Sequence, residues 1–139
     1  MTAIADFDGQ PGGLSIDPCG FGAVDDKAAF FSNFATLPED KAHTVAAPGV
    51  CLGTTAPGDS YGAGTGTSFS APLVSGLVAL CIASGHCAGL TSQEIVAKIV
   101  ADAAAYNAMK KNSGYGYEGD PLRPIEGKYY GYLPSASLY

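Results

Sequence analysis

Ser68 is the residue of this chain best placed for chemistry, and it lies in the sequence GTSFSAP at residues 66–72. Small loop residues occupy positions 63–67, and an apolar run follows at residues 73–83. This pattern predicts a loop that leads into a helix, with Ser68 in the first turn, where backbone N–H groups lack helical partners. Such a position suits a nucleophile with an oxyanion stabilised beside it. A helix cap is the alternative role, because serine is a common residue at helix starts.

The helix predicted after Ser68 is apolar on nearly every side, so we expect it to be buried all round. Pro72 agrees with a helix that begins close to Ser68, because proline is tolerated in the first turn and not beyond it.

Short apolar segments and turn sequences rich in glycine and proline make up most of the remaining chain. Thr91 and Glu94 have the spacing of a capping box, and apolar residues at helical spacing follow them. We therefore predict an amphipathic helix from Ser92 to about Ala105. The other predictions are strands at residues 2–7, 43–47 and 50–55, extended segments at 28–34 and 128–133, a polar turn at 36–41 and a loop at 56–62.

The composition indicates one modest folded domain of 139 residues, with 47% hydrophobic and 14% charged residues. Acidic residues outnumber basic ones by 13 to 7, which argues against nucleic acid as a partner. The longest apolar run is shorter than the about 20 residues that a bilayer requires, so we expect no membrane partner. No basic segment followed by an apolar core opens the chain, and we expect no signal peptide. The strand predicted at residues 2–7 begins abruptly, which suggests a piece of something longer.

Four cysteines, an even number, indicate an oxidising compartment. None forms a Cys-x-x-Cys motif and the two histidines lack zinc-finger spacing, so we expect no structural zinc or other metal site. Of the three pairings that four cysteines allow, we favour Cys19 with Cys51 and Cys81 with Cys87. Buried free thiols are the alternative.

Four segments of the chain, taken together, resemble the subtilisin-like serine proteases. Their order and spacing match that family across residues 2–105, and the tail at 128–133 resembles a secreted bacterial branch of it. The segments are the nucleophile motif GTSFSAP with its apolar helix, the preceding VAAPGV at residues 45–50, the FSN turn within residues 31–34 and the strand at residues 2–7.

The resemblance implies a three-layer α/β fold with a mostly parallel sheet, of which residues 1–139 are the C-terminal portion. It implies that Ser68 attacks the carbonyl of a peptide or protein substrate, with the Ser68 N–H and the Thr67 side chain at the oxyanion hole. Gly64 and Gly66 then allow a tight turn and close approach of the substrate. The chemistry needs no cofactor. Calcium sites are common in the family, but no segment here matches one, and the family implies an extracellular location.

The departures from the family concern the residues that activate the serine. The family order is Asp, His, oxyanion Asn and then Ser, and this chain starts after the first three. His43 lacks the glycine that follows the family's catalytic histidine, and His86 lies in a turn after the apolar helix, so we expect neither to act as the base. Without a base a serine hydroxyl is a weak nucleophile, so we expect the chain to be inactive without the N-terminal half of the catalytic domain.

Two other function classes remain compatible with the sequence. The first is a non-catalytic protease fragment that acts only as a structural or partner-binding piece. The second is phosphate or nucleotide binding by the glycine-rich loop at residues 62–68, which precedes a helix. That loop lacks a P-loop lysine, and no acidic ribose partner is evident.

Overall fold

The computed structural model describes residues 1–12 and 16–139, which combine helices and strands in a broad α/β arrangement. In chain order the elements are β1 (Thr2–Ala5), β2 (Lys27–Ala28), α1 (Pro38–Lys41), β3 (Ala46–Pro48), β4 (Leu52–Ala56), β5 (Ser60–Gly64), α2 (Thr67–Ala83), α3 (Ser92–Lys110) and two single-turn 3-10 helices (Lys111–Ser113 and Ala136–Leu138).

The strand β1 is the centre of a three-stranded sheet with the order β2-β1-β3. It pairs in parallel with β3 and antiparallel with β2, and all four of its residues are buried. The predicted strands at residues 2–7 and 43–47 therefore overlap with β1 and β3. The sheet of the described residues is small and mixed, and a three-layer fold with a mostly parallel sheet remains a family-based expectation.

A hairpin of β4 and β5 follows β3 in the chain and precedes α2, and it pairs Leu52 with Gly64 at one end and Ala56 with Ser60 at the other. The loop prediction for residues 56–62 is wrong over its second half, because β5 starts at Ser60. The strand is formed by backbone pairing, and four of its five residues are exposed, so no apolar alternation marks it in the sequence. Asp59 closes the turn with a φ of 53°.

Three further segments differ from the sequence-based expectations. Residues predicted as a polar turn contain the short helix α1, which begins with Pro38, a residue favoured at the first helical position. The extended segment predicted at 28–34 is reduced to β2 and the turn that follows it. The segment at 128–133 forms isolated bridges, in which Tyr129 pairs with Ala35 and Tyr132 pairs with Val45.

The predicted capping box at the start of α3 is confirmed, because Glu94 N donates to Thr91 Oγ1 and Thr91 N donates to the Glu94 carboxylate. The helix continues to Lys110, five residues past its predicted end. Asn107 explains this extension, because it is fully buried and its Nδ2 donates to the carbonyls of Ala103 and Leu133, each at 2.7 Å. The extra turn is therefore stabilised by contact with the C-terminal tail.

The helix α2 is confirmed as an element, but the prediction that it is buried all round is wrong. Leu73, Leu80 and Ile82 are each nearly half exposed, so the described residues cover them only in part. The expectation for Pro72 is also wrong, because it lies inside the helix, beyond the first turn. Since proline has no N–H, the Ser68 carbonyl four residues earlier lacks its usual helical donor.

In the described part of the chain, three buried clusters around the sheet and helices form the core. One joins α2 and α3 through Leu77, Cys81 and Ile99, and the other two lie against β1 and β3. None of the helices in the described part of the chain has both the length and the hydropathy of a bilayer-spanning segment.

The Asp102 carboxylate on α3 binds Tyr139 to the helix. It accepts hydrogen bonds from Tyr139 Oη at 2.7 Å and from Lys98 Nζ at 2.9 Å. Burial raises the pKa of Asp102, but the hydrogen bonds from Lys98 and Tyr139 outweigh it and hold the pKa below its ordinary value of 3.8. This carboxylate therefore stabilises the fold above the unfolded-state pKa, and the contribution is lost as pH falls through the lower folded-state pKa.

Replacing Tyr139→Phe removes one donor to the ionised Asp102 carboxylate. At pH 7 we expect the free energy of unfolding to fall by about 1 kcal/mol, as for one partly exposed hydrogen bond. The loss should shrink as the pH is lowered through the pKa of Asp102, measured by urea denaturation across pH. The matched control is Tyr61→Phe, because Tyr61 is 86% exposed and lies far from Asp102 in the hairpin. A loss of equal size at every pH would contradict the role of the ionised carboxylate.

Candidate active site

Ser68 is the second residue of α2, and its side chain is exposed. The N-cap of the helix is Gly66, which has a φ of 146° and a ψ of 160°, a backbone conformation that L side chains rarely adopt. Ser68 is therefore not the capping residue, and the alternative role as a helix cap is not supported. Among residues 1–12 and 16–139, no side chain forms a hydrogen bond with its hydroxyl.

The loop before Ser68 is bound to the sheet through Gly49, the glycine of the VAAPGV segment. Gly49 N donates to Ile4 O at 2.9 Å, and Gly66 N donates to Gly49 O at 2.8 Å. A Cβ added at Gly49 would lie 2.4 Å from Ser70 Oγ and 2.6 Å from Ala3 Cβ. Only glycine permits this approach of the strand end, the loop and the helix.

Ser70 fixes the first turn of α2 from the inside. It is fully buried, and its Oγ donates to the carbonyl of Ala47 in β3 at 3.2 Å. The alternation of an exposed Ser68 and a buried Ser70 means that the turn presents one hydroxyl to solvent while the other joins helix and sheet.

Phe69 packs directly on Gly64, the last residue of β5. A Cβ added at Gly64 would lie 2.1 Å from the Phe69 ring, so the ring occupies the space that any side chain would take. This contact holds the end of the hairpin against the start of α2.

Thr65 provides a further link, because its Oγ1 accepts a hydrogen bond of 2.9 Å from Cys51 N. Cys51 is disulfide-bonded to Cys19, with their Cα atoms 5.8 Å apart. Cys81 and Cys87 form the second pair, with Cα atoms 5.2 Å apart. The structure thus has the pairing favoured from the sequence, and not the alternative of free thiols.

Neither histidine lies beside Ser68. The His43 side chain is 61% exposed, and its Nε2 is 4.0 Å from Asp40 Oδ1. His86 Nδ1 lies 2.9 Å from Ser84 Oγ, and the ring packs edge-on against Tyr139. In the described part of the chain, Ser68 therefore has no imidazole partner that would take its proton.

The N–H groups at the start of α2 provide the polar environment of Ser68. Phe69 N donates to Gly66 O at 3.0 Å. The preceding amides of Thr67 and Ser68 belong to the first turn, where no intrahelical acceptor exists, and they carry the positive end of the helix dipole. The arrangement suits a negative charge that develops close to Ser68 Oγ.

Asp6, Asp8 and Asp25 form a separate acidic cluster, in which one oxygen of each lies within 4.8 Å of the others. Asp25 Oδ1 accepts from Phe7 N at 2.8 Å, whereas Oδ2 is buried and has no hydrogen-bond partner among the described residues. Burial raises the pKa of Asp6; the hydrogen bond from Gly9 N opposes this increase, and the charges of Asp25 and Asp8 add to it.

The sequence analysis did not predict this cluster, and it expected no metal site. The one local signal is the spacing of Asp6 and Asp8, with Gly9 immediately after them. Asp25 joins them only in the folded chain.

Comparison with models of protein families matches residues 10–117, more than three quarters of the chain, to the model described as the subtilase family. A search of curated proteins and a search of solved structures each gave no match.

Replacing Gly64→Ala tests the contact that holds the hairpin against α2. The added methyl group would overlap the Phe69 ring, and we expect the free energy of unfolding to fall by about 1–3 kcal/mol, as for overpacking. The control is Gly62→Ala in the same strand, where an added Cβ meets nothing within 4 Å. Combining Gly64→Ala with Phe69→Ala should remove the overlap, so that the double variant is no less stable than Phe69→Ala alone. Equal losses for Gly62→Ala and Gly64→Ala in urea denaturation would contradict this account.

Proposed function

Because the chain belongs to the subtilase family, we propose that it provides the nucleophile of a serine endopeptidase, and that this nucleophile is Ser68. The observation that carries the proposal is the position of Ser68, exposed in the first turn of α2 directly after a glycine N-cap. Gly66 caps the helix and Ser70 makes the buried contact with β3, which leaves the Ser68 hydroxyl for chemistry.

In the proposed reaction, Ser68 Oγ attacks the carbonyl carbon of a peptide bond in a peptide or protein substrate. The Ser68 N–H and the Thr67 side chain stabilise the oxyanion that forms, since they lie at the positive end of the helix. Gly66 keeps the backbone before the nucleophile free of side-chain bulk, which allows the substrate to approach. The proton of Ser68 passes to a base, and the chemistry requires no cofactor.

The base is proposed to come from outside the residues described here. A complementary N-terminal portion of the catalytic domain would bring the Asp, His and oxyanion Asn of the family, and residues 1–139 would act as the C-terminal portion. The contacts of His43 and His86 with residues other than Ser68 support this proposal, as do the exposed apolar residues Leu73, Leu80 and Ile82 on α2. Leu73 and Leu80 lie on one side of the helix and Ile82 on the other, and covering these side chains would stabilise the assembled domain.

The chain alone should therefore lack peptidase activity. In subtilisin itself, loss of the base lowers turnover by a factor on the order of a million, about as much as loss of the whole triad. The two disulfides further support a secreted enzyme that works in an oxidising extracellular compartment.

A non-catalytic role, as a structural or partner-binding piece of a protease, is the second candidate function. The same exposed apolar residues of α2 favour it, and no base lies beside Ser68 among the described residues. The two candidates differ in whether Ser68 becomes reactive once a complementary portion is bound.

A fluorophosphonate probe, which labels activated serines, distinguishes these two functions. We expect the chain alone to be labelled no more than the Ser68→Ala variant. Adding an N-terminal subtilase portion that carries the Asp, His and Asn should produce saturable labelling at Ser68. Ser75→Ala is the matched control, because Ser75 is an exposed serine on the same helix and its loss should leave labelling unchanged. Strong labelling of the chain alone would contradict the missing base, and no labelling of a stable complex would favour the non-catalytic role.

We also propose, against the expectation from the sequence, that Asp6, Asp8 and Asp25 hold a structural calcium ion. Calcium prefers carboxylate oxygens as ligands, and the buried Asp25 Oδ2 without a hydrogen-bond partner fits a ligand position. A bound cation would also offset the mutual repulsion of three carboxylates. This role concerns stability, and no step of peptide hydrolysis passes through the ion.

Calcium removal tests this proposal by thermal denaturation. At a calcium concentration about 100 times the dissociation constant, binding to the folded state adds about 2.7 kcal/mol, so the melting temperature should fall when EDTA replaces calcium. Asp25→Asn should abolish most of that difference. The control is Asp59→Asn in the exposed hairpin turn, which should preserve it, since asparagine tolerates the positive φ found there. Melting curves that are identical with calcium and EDTA would contradict the site.

A further inference from the structure

We propose that the disulfide between Cys19 and Cys51 is a redox-sensitive clamp on the nucleophile loop, and that it acts through Thr65 as a positioning residue. The nucleophile loop is defined here as residues 64–68. An effect of the clamp on catalysis rests on the proposed role of Ser68. The clamp itself concerns only how the disulfide holds the loop in place.

The contacts of the loop identify its attachment points. Cys51 N donates to Thr65 Oγ1 at 2.9 Å, and Gly66 N donates to Gly49 O at 2.8 Å. Two hydrogen bonds therefore join residues 49–51 to the two loop residues that come just before Thr67 and Ser68. Through these bonds the position of residues 49–51 constrains the start of α2.

Cys51 is held in a backbone conformation that it would otherwise avoid. Its φ is 56°, in the left-handed region that residues with a Cβ rarely occupy. The disulfide to Cys19 supplies a covalent constraint on this residue, and its N–H is the donor to Thr65 in this conformation. Breaking the constraint allows Cys51 to relax toward a negative φ and weakens that hydrogen bond.

The other end of the disulfide is an ordered loop. The Asp17 carboxylate accepts hydrogen bonds from Cys19 N at 2.9 Å and from Ala23 N at 3.1 Å. Gly20 N donates to the Asp17 carbonyl at 3.3 Å. The disulfide thus joins Cys51 to a segment that has its own hydrogen bonds, and this segment restricts the position of Cys51.

Solvent access distinguishes the two disulfides. Cys19 and Cys51 are both partly exposed, whereas Cys81 is 0% and Cys87 is 1% exposed in the core between α2 and α3. A small dithiol therefore reaches the Cys19–Cys51 bond first. In that reaction the S–S bond breaks, the dithiol gives two electrons and two protons and becomes a disulfide, and the protein gains two thiols.

Native-state hydrogen exchange measures the clamp without requiring activity. In the variant with Cys19→Ser and Cys51→Ser, we expect the Gly66 amide to exchange about tenfold faster relative to the Ala29 amide, which donates to Ala3 O in the central strand of the sheet. The matched control replaces Cys81→Ser and Cys87→Ser and should leave this ratio unchanged. An unchanged ratio in the first variant, or an equal increase in both variants, would overturn the proposal.

Thr65 is tested in a chain that keeps both disulfides. Thr65→Val removes the acceptor at nearly constant shape, so the Cys51 amide should exchange about tenfold faster. Thr65→Ser keeps the hydroxyl and should restore protection, which a purely packing role would not produce. Equal exchange in the two variants would overturn the positioning role.

Limited reduction of the unmodified chain with dithiothreitol provides a measurement that does not depend on the folding of any variant. Mass spectrometry of alkylated thiols should find Cys19 and Cys51 reduced before Cys81 and Cys87, with faster exchange at Gly66 in the same sample. Reduction of the buried pair first would overturn the proposal. Because none of these measurements uses the fluorophosphonate probe, failure of the clamp and failure of the peptidase proposal are separate results.

Discussion

The candidate site depends on the close backbone contact at Gly49. There the end of β3, the loop before α2 and the first turn of α2 approach so closely that a Cβ would overlap Ser70 and Ala3. The hydrogen bonds from Gly49 to Ile4 and from Gly66 to Gly49 make β1 the foundation on which Ser68 is placed. The fully buried β1 therefore supports the candidate site as well as the core.

Local signals in the sequence predicted the elements near the site correctly. The capping box at Thr91 and the apolar run after Ser68 gave the starts of α3 and α2, because caps and periodicity act within one or two turns. The strand β5 and the last turn of α3 were missed for the opposite reason. Both are stabilised by partners distant in sequence, β5 by backbone pairing and α3 by the contact of Asn107 with Leu133.

The candidate site shows the same difference between features that are local in the sequence and contacts between distant residues. Ser68 and Thr67 were proposed from the motif around them, because that motif is a contiguous loop and helix start. The link from Cys51 to Thr65 and the approach of Asp25 to Asp6 were not, since each joins residues that come together only through the tertiary fold. Burial of α2 was overestimated, because composition predicts which surface is apolar and not what covers it.

Pro72 changes how the first turn of α2 is connected to the rest of the helix. It leaves the Ser68 carbonyl without the donor that a helical N–H at position 72 would supply, so one hydrogen bond between the first turn and the next is missing. The first turn has further contacts outside the helix, from Ser70 to β3 and from Gly66 to Gly49. These contacts connect Ser68 to the sheet without passing through the later turns of the helix, which carry the exposed Leu80 and Ile82.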